Sequence, residues 1–163
     1  MCPLQLCIIN VMNYITDDEK MKVALEQARI AKDNDEVPIG AAIFDIKDNL
    51  ICANHNRREL DKDPTSHAEI LVLQEAARIT GSWRLKNTTL AVTLEPDAMC
   101  AGAIVNARVS KLIYGAANLK AGAAYSLYNI PQDPRLNHHV EIKDNILSHE
   151  SEAILSSFFD SKR

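Results

Sequence analysis

The run Thr88-Thr89-Leu90-Ala91-Val92-Thr93-Leu94-Glu95 passes without a spacer into Pro96-Asp97-Ala98-Met99-Cys100-Ala101-Gly102-Ala103. A short, continuous apolar stretch of this kind reads as a buried strand. Aspartate behind proline, ahead of an apolar small-residue segment, reads as the start of a helix. A strand that feeds a helix directly is the building unit of an α/β architecture, in which helices cover a sheet.

The remaining chain supports that unit. Thr16 is placed to cap TDDEKMKVALEQARIAKDN, which has an acidic first turn and Met21, Ala24, Leu25, Ala28 and Ala31 at helical spacing. Pro38 and Gly40 end that helix, and GAAIFDI and LICANHN, separated by Lys47 to Asn49, predict a two-stranded hairpin ending near Asn54. Asp63-Pro64 forces a turn before SHAEILVLQEAARIT, a helix expected to be capped at Thr65 or Ser66. KLIYGAA reads as a strand and HHVEIK as a fifth. DNILSHESEAILSSFFDSK reads as a terminal helix with Ile146, Leu147, Ile154, Leu155, Phe158 and Phe159 turned inward. The alternation predicts a three-layer αβα sandwich around a mostly parallel sheet. At 163 residues the chain suits one domain, expected over 17–163, with residues 1–16 as an N-terminal arm or the product of an upstream start.

A net charge of −4 and a pI near 5.7 argue against a protein that grips nucleic acid through overall basicity. Local patches are left as candidates: Arg57, Arg58 and Lys62; Lys111 and Lys120; Arg135, His138 and His139; Lys162 and Arg163. Cys2, Cys7, Cys52 and Cys100 form no close pair, so a disulfide framework is not expected. The first residues lack a cationic segment and a cleavage site, and no run is long enough to span a bilayer. The expected location is cytoplasmic, with no membrane association.

His67-Ala68-Glu69 falls at the start of one predicted helix, and Asp97 and Cys100 fall at the start of another. A catalytic zinc takes three protein ligands and keeps one position open for water. His67, Cys100 and Asp97 satisfy that count, with Glu69 left to carry the water's proton to a substrate. H-x-E followed by P-C-x-x-C is the signature of zinc-dependent nucleobase deaminases. Here Asp97 stands where that signature has its first cysteine. Aspartate matches a thiolate in charge but is a harder donor, so weaker zinc binding is expected. Asp97 has a second reading as a helix cap that accepts from the N–H of Met99 or Cys100, with its carboxylate turned from the metal.

These residues, together with EVPIGAAI, HNRRELDKDPTSHAEILVL, TLEPDAMCAGAIVNARVSKLIYGA, LKAGAAYSLYNIPQDPRLNHHVEI and ILSHESEAILSSFF, carry a resemblance. From about residue 17 onward the chain resembles the bacterial tRNA adenosine deaminases, which convert adenosine to inosine at the first anticodon position. The resemblance implies a cytidine deaminase-like fold with a five-stranded mixed sheet, one zinc, a homodimer, and a tRNA anticodon stem-loop as partner. It implies that His67 and Cys100 are ligands, that Glu69 is the proton shuttle, that Asn56 holds the purine edge, and that Ala68 and the Pro96-Asp97 turn line the pocket. It also places Asn118 near the nucleotide backbone, where the family usually has aspartate. Two alternatives stay open: a free-base or nucleoside deaminase acting on guanine or cytidine, and a catalytically silent RNA-binding fold disabled by Asp97.

Overall fold

The computed structural model describes residues 15–163. The expected arm lies almost wholly outside the described residues, as do Cys2 and Cys7. The elements run α1 (Asp17–Asp33), β1 (Gly40–Phe44), β2 (Leu50–His55), α2 (Arg58–Asp61), α3 (Ala68–Thr80), β3 (Thr89–Leu94), α4 (Ala98–Asn106), β4 (Lys111–Ala116), β5 (Glu141–Lys143) and α5 (Ser148–Asp160). Thr16 caps α1 as the sequence suggests. Its hydroxyl accepts from the Glu19 N–H at 3.2 Å while the Glu19 carboxylate accepts from the Thr16 N–H at 2.6 Å.

The strands form one sheet in the order β2-β1-β3-β4-β5. β1 runs antiparallel to β2 and β3, whereas β4 runs parallel to β3 and β5. The sheet is therefore mixed, as the family resemblance implies, and not mostly parallel. The correction has a simple source: the hairpin at β1 and β2 commits the amino-terminal half to antiparallel pairing, and only later strands return by helical or long crossovers.

Strand residues alternate between two cores. Ala41, Ile43, Leu90, Val92, Leu112 and Tyr114 pack with Val72 and Ala76 of α3 and Ile104 of α4. Ala42, Phe44, Ala91 and Ile113 pack with Met21, Ala24 and Leu25 of α1 and with Ile146. This two-residue period, apolar on both sides, is what a sheet covered on both faces requires, and it gives the three layers. α1 lies hard against β1: a Cβ on Gly40 would sit 2.0 Å from the Ala24 carbonyl oxygen and 2.5 Å from the Ala28 nitrogen.

Three local expectations change. α5 begins only at Ser148, because Leu147 turns with φ +50° just before it. Of the six residues expected inward, Ile146 and Phe158 are buried, Leu147, Ile154 and Leu155 are half-buried, and Phe159 is exposed. The expected HHVEIK strand pairs only through Glu141–Lys143. Among the described residues, no helix is long and apolar enough to cross a membrane.

Candidate active site

α3 starts one or two residues later than the capping signal suggests, with His67 itself at the N-cap position. Its backbone is extended, with φ −76° and ψ 150°, and its ring makes no capping hydrogen bond, so the imidazole is free for other use. Glu69 follows in the first turn and is 4% exposed. α4 starts where expected. Asp97 is its N-cap, and Oδ1 accepts from the Cys100 N–H at 2.9 Å.

The two helix starts meet. Donor atoms of His67, Glu69 and Cys100 all lie within 4.8 Å of one another. His67 Nδ1 is 3.5 Å from Cys100 Sγ and 3.4 Å from Asp97 Oδ2. The two Asp97 oxygens face different partners, Oδ1 the Cys100 N–H and Oδ2 the His67 ring.

The fit of this group to a metal can be tested by spacing. Bonds of about 2.1 Å to nitrogen or oxygen and about 2.3 Å to sulfur, at tetrahedral angles, separate N from S by roughly 3.6 Å and N from O by roughly 3.4 Å. The two distances from His67 match these edges, while the donor atoms that all lie within 4.8 Å of one another are those of His67, Glu69 and Cys100, without Asp97. Electrostatics point the same way. Burial pushes the Glu69 carboxyl up to about 7; its own backbone N–H and Cys100 oppose this, and the Asp97 charge adds to it. Burial also drives the Cys100 thiol far up, with the Glu69 and Asp97 charges adding to the effect. The His67 pKa is lowered, because burial outweighs the attraction of Asp97 and the Arg58 charge adds to the lowering. An imidazole beside two acid groups, Glu69 and Cys100, whose protons are held by burial and would be released by a nearby positive charge is a donor set suited to a divalent cation.

A cavity of about 110 Å³ opens on this group, lined by Ile39, Asn56, Arg58, His67, Glu69 and Asn118 among others. Ala68 also lines it, whereas Pro96 does not: its carbonyl accepts from the Ala123 N–H at 2.8 Å. The Asn56 amide is braced, donating to the Val37 carbonyl at 3.2 Å and to Glu36 Oε2 at 3.5 Å, while Oδ1 accepts from the Arg58 N–H at 3.3 Å. That leaves one Oδ1 lone pair unassigned. Asn118 Oδ1 accepts from the Ala121 N–H at 3.1 Å, which leaves its NH2 group for a ligand.

Four residues lining the cavity, Ile39, Arg58, Leu94 and Glu95, were not singled out in the sequence as site residues in their own right. Glu95 lines it and is 1% exposed. Its signal was a carboxylate ending an otherwise apolar strand, a place where solvation is not available. Arg58 lines the cavity as well, whereas its neighbour Arg57 is tied to Asp61 at 2.9 Å. Four other basic candidates are also engaged: Lys111 with Asp17 at 3.1 Å, Arg135 with Asp133 at 2.6 Å, His138 with the Val109 carbonyl at 2.6 Å, and Lys162 with Asp35.

Comparison with known proteins agrees with this geometry. Residues 15–163 match the MafB19-like deaminase family. The chain is 44% identical over 146 residues to a tRNA-specific adenosine deaminase of Bacillus subtilis, covering 89% of this chain and 90% of that protein. It is 40% identical over 147 residues to the Haemophilus influenzae protein of the same name, covering 90% and 85%. Among solved structures, one from studies of A-to-I editing by tRNA:A34 deaminases at the wobble position of transfer RNA superposes with a TM-score of 0.80 at 39% identity, covering 84% of this chain and 99% of that one. A guanine deaminase of Nitrosomonas europaea, at 23% identity and a TM-score of 0.73 over 88% of this chain and 84% of that one, shares the fold.

Proposed function

This chain belongs to the family of tRNA-specific adenosine deaminases, and on that premise we propose that it converts adenosine to inosine by hydrolysis at the first anticodon position of a tRNA. The observation that carries the reading is the junction of two helix starts, where donor atoms of His67, Glu69 and Cys100 cluster, Asp97 faces His67, and a cavity lined by His67, Glu69, Asp97, Asn56 and Asn118 opens beside them.

His67 Nδ1, Cys100 Sγ and Asp97 Oδ2 are the atoms that would hold zinc. When bound there, zinc would lower the pKa of a coordinated water and so make it a nucleophile at neutral pH. Glu69 does the proton work. It takes a proton from the water whose oxygen bonds to C6 and delivers it to N1 of the ring. It then carries the second proton to the amino group, which leaves as ammonia while the C6–O bond becomes the inosine carbonyl. Asn56, braced from two sides, offers its free lone pair to the purine edge. A loop nucleotide suits so small a cavity, since an unpaired base can be turned out at little cost.

The same reading assigns a cytoplasmic location and a homodimer. An apolar groove between α3 and α4, lined by Leu73, Ala77, Trp83, Ala103 and Ala107, supports the dimer, with Trp83 54% exposed. Light scattering at micromolar concentration checks that assignment.

The deciding experiment incubates the zinc-loaded protein with an anticodon stem-loop bearing adenosine at its first position, and in parallel with free guanine, adenosine and cytidine. Inosine in the stem-loop, abolished by Glu69→Gln, is the expected result. Turnover of a free base or nucleoside alone would favour the small-molecule alternative. Stem-loop binding without turnover would favour the silent fold.

A further inference from the structure

The chemistry assigned above uses Glu69 and leaves a second buried carboxylate without a role. Glu95 gathers hydrogen-bond donors from one loop. Its Oε1 accepts from the N–H groups of Ala124, Tyr125 and Ser126 at 3.2, 2.8 and 2.8 Å. Its Oε2 accepts from the Asn118 N–H at 3.0 Å and from the Ser126 hydroxyl. Hydrogen bonds to an ionised carboxylate are about twice as strong as neutral ones, so this cluster is a firm tie.

The loop is shaped around that tie. Gly122 passes so close that a Cβ there would lie 2.4 Å from Glu95 Oε2 and 2.5 Å from the Asn118 carbonyl oxygen. Gly122 also forms an antiparallel bridge with Asp97. Together with the Ala123 to Pro96 hydrogen bond, these contacts close the loop carrying Asn118 onto the segment carrying Asp97.

We propose that Glu95 is a positioning residue, which holds residues 118–126 against the Glu95–Asp97 segment and so fixes the Asn118 wall of the cavity and the seating of the nucleotide. The seating rests on reading that cavity as the substrate pocket. The tie itself does not.

The split of donors between the two oxygens makes the role separable from folding. Glutamine offers one oxygen and one NH2 group. With its oxygen in place of Oε1, Glu95→Gln keeps three backbone bonds, while its NH2 group meets the Asn118 N–H donor to donor. The reverse orientation would forfeit those three bonds, so Asn118 is the group released. Ser126→Ala removes the hydroxyl tie and nothing else.

The experiment combines amide hydrogen exchange on the full chain with steady-state kinetics on the anticodon stem-loop. For Glu95→Gln we expect exchange in 118–126 to rise roughly tenfold with α1 unchanged, and KM to rise roughly tenfold while kcat moves by less than about threefold. Ser126→Ala should shift both in the same direction by less. Parent-like exchange and kinetics in both variants would overturn the proposal. So would a fall in kcat alone in proportion to the folded fraction, the mark of a purely structural role. If Glu95→Gln does not fold, Ser126→Ala decides by the same readouts. A parent chain that makes no inosine would instead sink the deaminase reading and, with it, the seating role, whereas exchange reports on the tie without substrate.

Discussion

Asp97 is expected to act twice through two different atoms, and the two actions can be measured apart. In metal-free protein, Asp97→Ala deletes the hydrogen bond from the Cys100 N–H to Oδ1. Loss of an N-cap costs about 1 kcal/mol, which for a chain of this size lowers Tm by about 2–4 °C. Asparagine keeps an oxygen for the same N–H and caps about as well as aspartate, so metal-free Asp97→Asn should melt within about 2 °C of the parent. Zinc separates them further. At free zinc a hundred times Kd, binding stabilises the parent by about 2.7 kcal/mol, or about 5–11 °C. If the neutral amide weakens zinc about a hundredfold, the same zinc concentration stabilises Asp97→Asn by only about 0.4 kcal/mol, or about 1–2 °C. Asp97→Cys should show the mirror image, with a lower metal-free Tm and a larger rise with zinc. Thermal melts in chelator and in zinc-buffered solution give all of these values. A parent-sized zinc response in Asp97→Asn would refute ligation and leave Asp97 as a cap alone.

Three further outcomes follow from packing and charge. Gly40→Ala forces a methyl into the backbone of α1 and should cost about 3 kcal/mol, seen as a Tm lower by about 6–12 °C; a drop under about 2 °C would contradict the close approach. Ser151 is fully buried and its hydroxyl has no hydrogen-bond partner among the described residues, so Ser151→Ala should stabilise the fold by about 1 kcal/mol in denaturant titration, where most core truncations do the opposite. Asp17 joins Lys143 at 2.8 Å and Lys111 at 3.1 Å, and although burial raises its pKa, the two lysines more than offset this and hold it below 3.8. A depressed folded pKa stabilises above the unfolded value and loses that stability as pH falls through the folded one. Asp17→Asn should therefore melt about 2–4 °C below the parent at neutral pH, and the gap should close below about pH 4.

Much of this arrangement could be read from residue order because local and long-range demands agree. Thr16 with Glu19 marks the start of α1, and Pro96-Asp97 marks the start of α4 at the residue where the helix begins. His67, Glu69 and Cys100, read from the H-x-E segment and the helix start after Pro96, do lie together, with Asp97 facing His67. What escaped was set by tertiary contact. Strand direction in β1 depends on its partners and not on its own apolar pattern. The region between β4 and β5 has no periodicity to read, since its conformation is dictated by Glu95, which lies more than twenty residues earlier in the chain. Likewise, no local pattern shows that a carboxylate can serve a helix and face an imidazole at once, as Asp97 does.

The borders of the sheet carry a consequence for the protein in a crowded solution. At one border β5 pairs over only three residues, with Glu141 and Lys143 exposed around a half-buried Ile142. At the other, the β1–β2 pairing slips register between Ile43 and Phe44, a bulge that twists the hairpin. An incoming strand finds a short, charged template at the first and a distorted one at the second, and neither invites backbone-templated growth into polymers. Copies of the chain are left to meet through helix surfaces, where side chains choose the partner and contact can be undone.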